Sequence, residues 1–370
     1  MKRESIIVLG LVLGLALVGV FMVYSTGAAD PHGMARFQRQ LVYLAIGVCA
    51  LFFCANLDYH RLREPFWFRS IVLIALLLLA LVLVPGIGEE RKGAQRWIEV
   101  PGLTSFQPSE MGKFALILLL SVKLAQNHEQ MGSFFRGFVP PLLITGVFAG
   151  LVLLEDDLGT PVVMISVAFC MMFMAGARWR YMLPSIVPVV AGIAALIVIT
   201  PYRMKRLTTF LNPWKDREEN GYQLIQSMVA FAQGGVFGKG PGRGEQKLDY
   251  LPDAHTDFVF AAWAEETGLV GTLALAGLFL LLLALTMRIA ANARDMYGSL
   301  LAGGIASLVA IQAAINMAVT TGMVPTKGLP LPFISWGGTA LMVFMALMGL
   351  VISVGLQGLP PSPRRAGTSA

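Results

Sequence analysis

Three polar stretches interrupt an otherwise apolar chain, and they hold most of its chemistry-bearing side chains. The strongest candidate closes the second stretch, residues 202–257. There QKLDYLPDAHTD ends at Asp257, directly before the apolar run FVFAAWA. A carboxylate kept where lipid or protein interior begins costs energy, and marks a functional site by default. The competing reading makes Thr256 an N-cap and Asp257 a first-turn acid complementing the helix dipole, worth under ~1 kcal/mol. Asp253 reads as a turn residue after Pro252. On a continuous helix Glu265 would lie about 80° around from Asp257 and Glu266 opposite it, so at least one faces the bundle interior. Both read best as buried carboxylates paired with amides. The same stretch holds Arg203, Lys205, Arg206, Lys215, Arg217, Lys239, Arg243 and Lys247, a set suited to an anionic ligand.

The first stretch is GAQRWIEVPGLTSFQPSEMGK at 93–113. Arg96 beside Trp97 suits a membrane interface. Ser109 after Pro108 reads as an N-cap, with Glu110 and Lys113 as an i,i+3 ion pair on the following helix. The third is GMVPTKGLPLPFISWGGTA at 322–340, whose single charge is Lys327. Its three prolines and four glycines forbid a continuous helix. Non-helical backbone at membrane depth is tolerated only where it lines a cavity or is buried in protein.

Helices in a bilayer must carry these stretches. Of 370 residues, 56% are hydrophobic and 14% charged, against about 25% charged in soluble domains. That excludes a soluble enzyme, a disordered scaffold and a coiled coil. Cys49, Cys54 and Cys170 lie in apolar runs and build no disulfide framework, and four scattered His show no metal-ligand spacing. The net charge of +6 sits in loops and is no nucleic-acid signature. Charge-free runs at 5–29, 40–57, 70–88, 137–154, 158–177, 181–202, 267–287, 296–326 and 328–363 each hold a span of about 20 residues. A tenth, 110–126, has Lys113 and Lys123 near its ends, where they can snorkel. The first run lacks a cleavage site and reads as a helix rather than a removed signal. The expected fold is therefore an all-α polytopic membrane protein of ten spans, one domain over 1–358 with a short cytoplasmic tail at 359–370.

With both termini inside, short inner loops hold 13 Lys and Arg and short outer loops 7, which favours N-in, C-in. The other eight fall in the long outer loop, about 202–256, and all three polar stretches then lie outside. Within that loop, 220–238 is charge-free but carries Gln223, Gln226, Ser227 and Gln233. Lipid would charge several kcal/mol for each amide, so the segment reads as an interfacial or re-entrant helix.

At these motifs the chain resembles the SEDS family, the FtsW/RodA/SpoVE polytopic proteins of bacterial cell-wall synthesis. The matching blocks are GAQRWIEV with FQPSEMGK, EDDLGT, YRMKRLTTFLNPWKD, GYQLIQS, FGKGPG, YLPDAHTDFVFAAWAEETGLVG and PTKGLPLPFISWGG. Several resemble the FtsW division branch more than the elongation branch. Two positions depart from the family pattern: Asp156 stands where Pro is usual, and Trp336 to Ala340 replace a Tyr-Gly-Gly-Ser-Ser run. The resemblance implies a peptidoglycan glycosyltransferase that polymerises lipid II, a disaccharide-pentapeptide on undecaprenyl pyrophosphate, at the outer face of the plasma membrane. It implies Asp257 as general base, with Mg or Mn as a cation sharing the pyrophosphate and no organic cofactor. Candidate substrate contacts in the first block are Arg96, Trp97, Gln107, Glu110 and Lys113. In the long loop they are Arg203, Arg206, Gln223, Ser227, Lys239 and Lys247. In the last block they are Lys327 and Ser335. The implied partners are a single-span class B penicillin-binding protein transpeptidase, docking near the eighth and ninth spans, and other division or elongation membrane proteins. Small residues there, including Gly303 and Gly304, serve either that docking or internal packing. A lipid II flippase and a non-catalytic scaffold are the rival classes. Polar loading on the outer face speaks against the flippase.

Overall fold

A computed structural model describes residues 2–27, 30–91, 94–99, 105–217, 221–246 and 251–358. Twelve α-helices dominate: α1 Lys2–Gly27, α2 Gly33–Asn56, α3 Pro65–Leu81, α4 Pro108–Gln126, α5 Val139–Leu153, α6 Gly159–Met174, α7 Trp179–Ile199, α8 Pro201–Leu211, α9 Tyr222–Gly234, α10 Val259–Ala291, α11 Met296–Thr320 and α12 Gly338–Gln357. Among the described residues, seven helices are long and apolar enough to cross a membrane: α1, α2, α5 with its preceding turn, α7, α10, α11 and α12. Two shorter apolar helices, α3 and α6, accompany them. With α4, each charge-free run of the sequence has its helix. The chain is a multi-pass membrane protein.

The bundle is built around α11 and α12, the most buried of the seven, while α7 is almost wholly exposed. The α12 helix runs along α2, and α11 packs on α10, α6 and α4. Gly303 and Gly304 serve this internal packing: a Cβ at Gly304 would lie 2.8 Å from Met171 Sδ and 2.9 Å from Ile117 Cγ2. They are not a docking surface.

Three features depart from an all-α reading of simple spans. Between α3 and α4 three strands form a small antiparallel sheet, β1 Gly88–Arg91, β2 Ala94–Glu99 and β3 Ser105–Phe106, in the order β1-β2-β3. The polar connection between α3 and α4 satisfies its backbone groups in this way. Helix α8 extends the long loop with an amphipathic turn rich in Arg and Lys. Finally, α10 is not one regular helix over 267–287. It begins at Val259 and breaks at Gly268, where φ is 68° and ψ −166°.

The loop after α9 is threaded through that break. Lys239 N and Gly240 N donate to the carbonyls of Glu265 and Glu266, both at 3.0 Å, and Leu269 N and Val270 N donate to the carbonyls of Gly235 and Val236 at 2.9 and 3.1 Å. The freed helix groups thus find partners, as buried backbone must. A Cβ on Gly268 would lie 2.3 Å from Gly238 N, so only glycine lets the two segments meet.

Candidate active site

Asp257 does not lie on a helix. The chain from Asp253 to Phe258 forms tight turns, α10 starts two residues later, and Thr256 Oγ1 points back to the Asp253 carbonyl instead of capping. Asp253 itself sits in the turn with φ 58°. Two side chains and one backbone amide staple this turn to the 322–337 segment. Asn316 Nδ2, on α11, donates to the carbonyls of Asp257 at 2.9 Å and Leu329 at 2.8 Å. Ser335 Oγ donates to the Thr256 carbonyl at 2.6 Å and accepts from Leu331 N at 2.7 Å. Trp336 N donates to the His255 carbonyl at 2.8 Å. The Pro- and Gly-rich segment is therefore a backbone clamp. It passes so close that a Cβ on Gly328 would lie 3.2 Å from Asp257 Oδ2.

Lys327 adjoins that contact. Burial pulls its ammonium below the usual lysine range, and nearby Asp157 opposes the shift. Asp157 belongs to the α5–α6 turn, where its carboxylate accepts from Gly159 N at 2.8 Å and Thr160 Oγ1 at 2.6 Å. Arg96, on β2, reaches the same turn: its Nη2 donates to the Asp156 carbonyl at 2.7 Å, and Nη1 is 4.0 Å from Asp157 Oδ1. Arg203, on α8, pairs with Asp156 Oδ1 at 3.1 Å. Asp156 holds φ 58°, a left-handed conformation disfavoured for a non-glycine residue. Beside it Glu155 is 1% exposed and neither carboxylate oxygen has a hydrogen-bond partner. Burial raises its carboxyl, Asp157 adds to the rise and Arg96 opposes it, leaving the group at about 8. The EDDLGT block by itself assigns Glu155 and Asp157 no role. Three carboxylates in a short turn between two apolar runs were the signal.

The other predicted contacts divide. Lys113 does not snorkel. It is 2% exposed, paired with Glu110 Oε1 at 2.8 Å and Gln312 Oε1 at 2.8 Å. The i,i+3 ion pair is present, but inside the bundle. Ser109 caps nothing: Gln107 is the N-cap residue of α4, without a side-chain cap bond, and Ser109 Oγ is buried without a partner. Pro108 at the first helical position shifts the start by two residues. Trp97 is half-buried on β2, paired in register with Glu89. Gln223 Nε2 donates to Asp253 Oδ2 at 3.2 Å. Ser227 is fully buried and donates to the Thr320 carbonyl at 2.6 Å, so it is a packing contact. Arg206 bonds Tyr202 on its own helix. Lys239 contacts Gln233 at 2.7 Å and Glu265 at 3.0 Å; burial opposes its charge, but Glu265 and Glu245 outweigh that and hold its ammonium above the usual range. Lys247 lies outside the described residues. Glu265 and Glu266 do accept backbone amides, from Glu245, Gln246 and Gly242, and Glu266 also accepts Ser25 Oγ at 2.5 Å.

One end of a polytopic helical bundle thus gathers a carboxylate on a clamped backbone turn, a strained acidic turn and three cations, the arrangement of a membrane enzyme acting on an anionic substrate. The chain belongs to the FtsW/RodA/SpoVE family, described as cell cycle proteins, whose model matches residues 5–357. It resembles the FtsW division branch. It is 41% identical over 355 residues to a protein of Geobacter sp. (strain M18) named probable peptidoglycan glycosyltransferase FtsW, covering 95% of this chain and 96% of the relative. It is 42% identical over 345 residues to stage V sporulation protein E of Bacillus subtilis (strain 168), covering 93% and 92%. A solved chain described under structural coordination of polymerization and crosslinking by a peptidoglycan synthase complex superposes with a TM-score of 0.79 at 33% identity, covering 94% of this chain and 96% of that one.

Proposed function

We propose that this chain is a peptidoglycan glycosyltransferase of the division branch that polymerises lipid II at the outer face of the plasma membrane. The observation that carries the reading is Asp257, whose backbone turn is held by Asn316 and Ser335 and whose carboxylate lies against Gly328, beside Lys327 and the turn that holds Arg96 and Arg203. Its ten helices α1–α7 and α10–α12 are the spans, with N and C termini inside and residues 1–358 as one membrane domain. The 359–370 tail lies outside the described residues. Helix α9, 13 residues or about 20 Å long, is too short to span and rests at the outer interface.

In this reading an acceptor sugar hydroxyl attacks the anomeric carbon of the donor. The new C–O bond forms as the bond to phosphate breaks, and its electron pair leaves on the pyrophosphate. Asp257 takes the hydroxyl proton. Arg96, Arg203 and Lys327 face the charge that develops on the leaving group. The attack comes from the side opposite the leaving group, so the anomeric centre inverts. Among the described residues no three His, Cys, Asp or Glu gather as a metal cage. Mg or Mn, if carried in on the pyrophosphate, would take Asp257 as its protein carboxylate and would supply charge neutralisation to the leaving group. A transpeptidase partner is supported by the peptidoglycan synthase complex that this fold resembles. The exposed face of α10, with Leu269, Leu273 and Leu280, offers it a helix surface.

Asp257→Asn keeps size and shape but cannot accept the proton. Polymerisation of labelled lipid II by the purified variant should fall by roughly 10²-fold or more, with unchanged insertion and thermal stability. Near-normal turnover would remove Asp257 from the role.

A further inference from the structure

The proposed chemistry leaves one anion without a site. When lipid II is coupled to lipid II, both molecules carry a pyrophosphate, and only the donor's departs. Arg96, Arg203 and Lys327 meet the Asp257 region through the α5–α6 turn and Gly328. A second cationic group meets it through His255, two residues before Asp257.

This group lines a cavity of about 410 Å³ formed by His32, Ala35, Arg36, Arg39, His255 and Trp336. Arg36 Nη1 stands 3.3 Å from the His255 ring nitrogens, and the His255 and Trp336 rings meet edge to face at 5.7 Å. Arg36 also pairs with Asp30, whose other carboxylate oxygen accepts the His32 backbone N–H at 2.7 Å. Arg39 is exposed and has no hydrogen bond or ion pair among the described residues. Trp336 Nε1 is buried with no partner. The wall is the start of α2, which carries no acid in its first turn and no side-chain cap. Arginines at a helix N-terminus oppose the helix dipole, and an anion beside them reverses that cost. The unpaired polarity continues inward along α2. One turn below Arg36, Gln40 is 0% exposed with neither amide atom bonded.

We propose that this pocket is a second phosphate-binding site, which holds the pyrophosphate of the lipid-linked substrate whose phosphate bond is not broken. The assignment of the substrate rests on the polymerase reading. Arg39 supplies the free charge, Arg36 the charge fixed against His255, and the Trp336 N–H one neutral donor. Trp336 N and the His255 carbonyl tie the pocket to the Asp257 turn, so an occupant here is held at a fixed distance from the base.

The test is equilibrium binding of labelled undecaprenyl pyrophosphate to the full chain in phosphatidylcholine nanodiscs, in an Asp257→Asn background that removes turnover. Two molecules should bind per chain. Arg39→Ala should weaken one of them by about tenfold, the loss of one charge-assisted contact, and leave the other unchanged. Arg39→Lys should recover part of the loss, and Trp336→Phe should weaken the same molecule by a smaller factor. With Asp257 restored, Arg39→Ala should raise the lipid II concentration at half-maximal rate more than it lowers the maximum. A single bound molecule, or two whose affinities ignore Arg39 and Arg36 substitutions, overturns the proposal. Displacement by phosphatidylglycerol or by inorganic pyrophosphate as effective as by the polyprenyl form overturns the assignment to substrate. Binding is read without turnover, so a failure of Asp257 as base leaves this result intact.

Discussion

The two ends of the bundle are both rich in charge, but they use it differently. At the end opposite the active site, Asp295 is saturated: Tyr59 Oη donates to its Oδ1 at 3.0 Å, Gly298 N donates to the same oxygen at 3.0 Å, and Arg63 Nη1 and His60 Nε2 stand 3.4 and 3.3 Å from Oδ2. It is the N-cap of α11, and the backbone nearby is unstrained. At the active-site end Glu155, Gln40, Ser109 and the Trp336 indole hold buried polar atoms with no partner, where the far end has Ser5 Oγ beside Gly355. The three described non-glycine residues with positive φ, Asp156, Asp253 and Phe333, also lie there. Polar density alone therefore does not mark function. Unmatched polarity on strained backbone does, because folding would otherwise have removed both.

That contrast can be broken or sharpened by substitution. The largest effect on stability should come from Lys113→Ala, which strands Glu110 as a buried charge at a cost of about 3–5 kcal/mol. Glu110→Gln with Lys113→Met should recover most of it in thermal unfolding. If Lys113→Ala instead keeps its stability and loses only lipid II affinity, Lys113 belongs with the unmatched groups. Gly304→Leu should cost about 1–3 kcal/mol by overpacking against Met171 and Ile117. Because α11 carries both Asp295 and Asn316, it should disturb the two ends together. Retained stability with loss of the transpeptidase in co-purification would return Gly304 to a docking role.

A smaller, pH-dependent effect is expected from Glu155. Its carboxyl is raised from an ordinary 4.5 to about 8, so the folded state binds a proton that the unfolded chain releases. The stabilisation is complete below about 4.5 and is lost as pH rises to about 8. Melting temperature should fall across that window, and Glu155→Gln should flatten the fall. Asp295→Ala should be the mildest, about 1 kcal/mol for a lost cap, with lipid II polymerisation unchanged. A drop in turnover beyond the stability loss would show that the far end also serves catalysis.

Much of this architecture is legible in the residues. Charge spacing locates the seven helices long and apolar enough to span, and the carboxylate before FVFAAWA is Asp257. The i,i+3 spacing gives the Glu110–Lys113 pair, though not its depth, which depends on Gln312 arriving from α11. The break in α10 escapes the sequence because Gly268 looks like any small residue until the 235–240 segment is placed against it. Arg36 and Arg39 read as loop charges because their pocket partners, His255 and Trp336, lie more than two hundred residues away. Ser227 and Ser335 look like ligand contacts for the same reason. Their hydroxyls are spent on carbonyls of distant segments.

The threaded break at Gly268 also sets an order of assembly. Residues 235–240 leave the ribosome before the α10 groups that hold them, and Ser25, on the first helix, waits longer still for Glu266. The loop carrying Lys239 therefore has no fixed address until α10 is in the membrane, and Asp257 none until Asn316 and Gly328 follow. A chain truncated after α9 would hold most of its cations and none of its clamp. The enzyme completes its active site only when its last two spans arrive, so a premature stop should yield an inserted but inert protein.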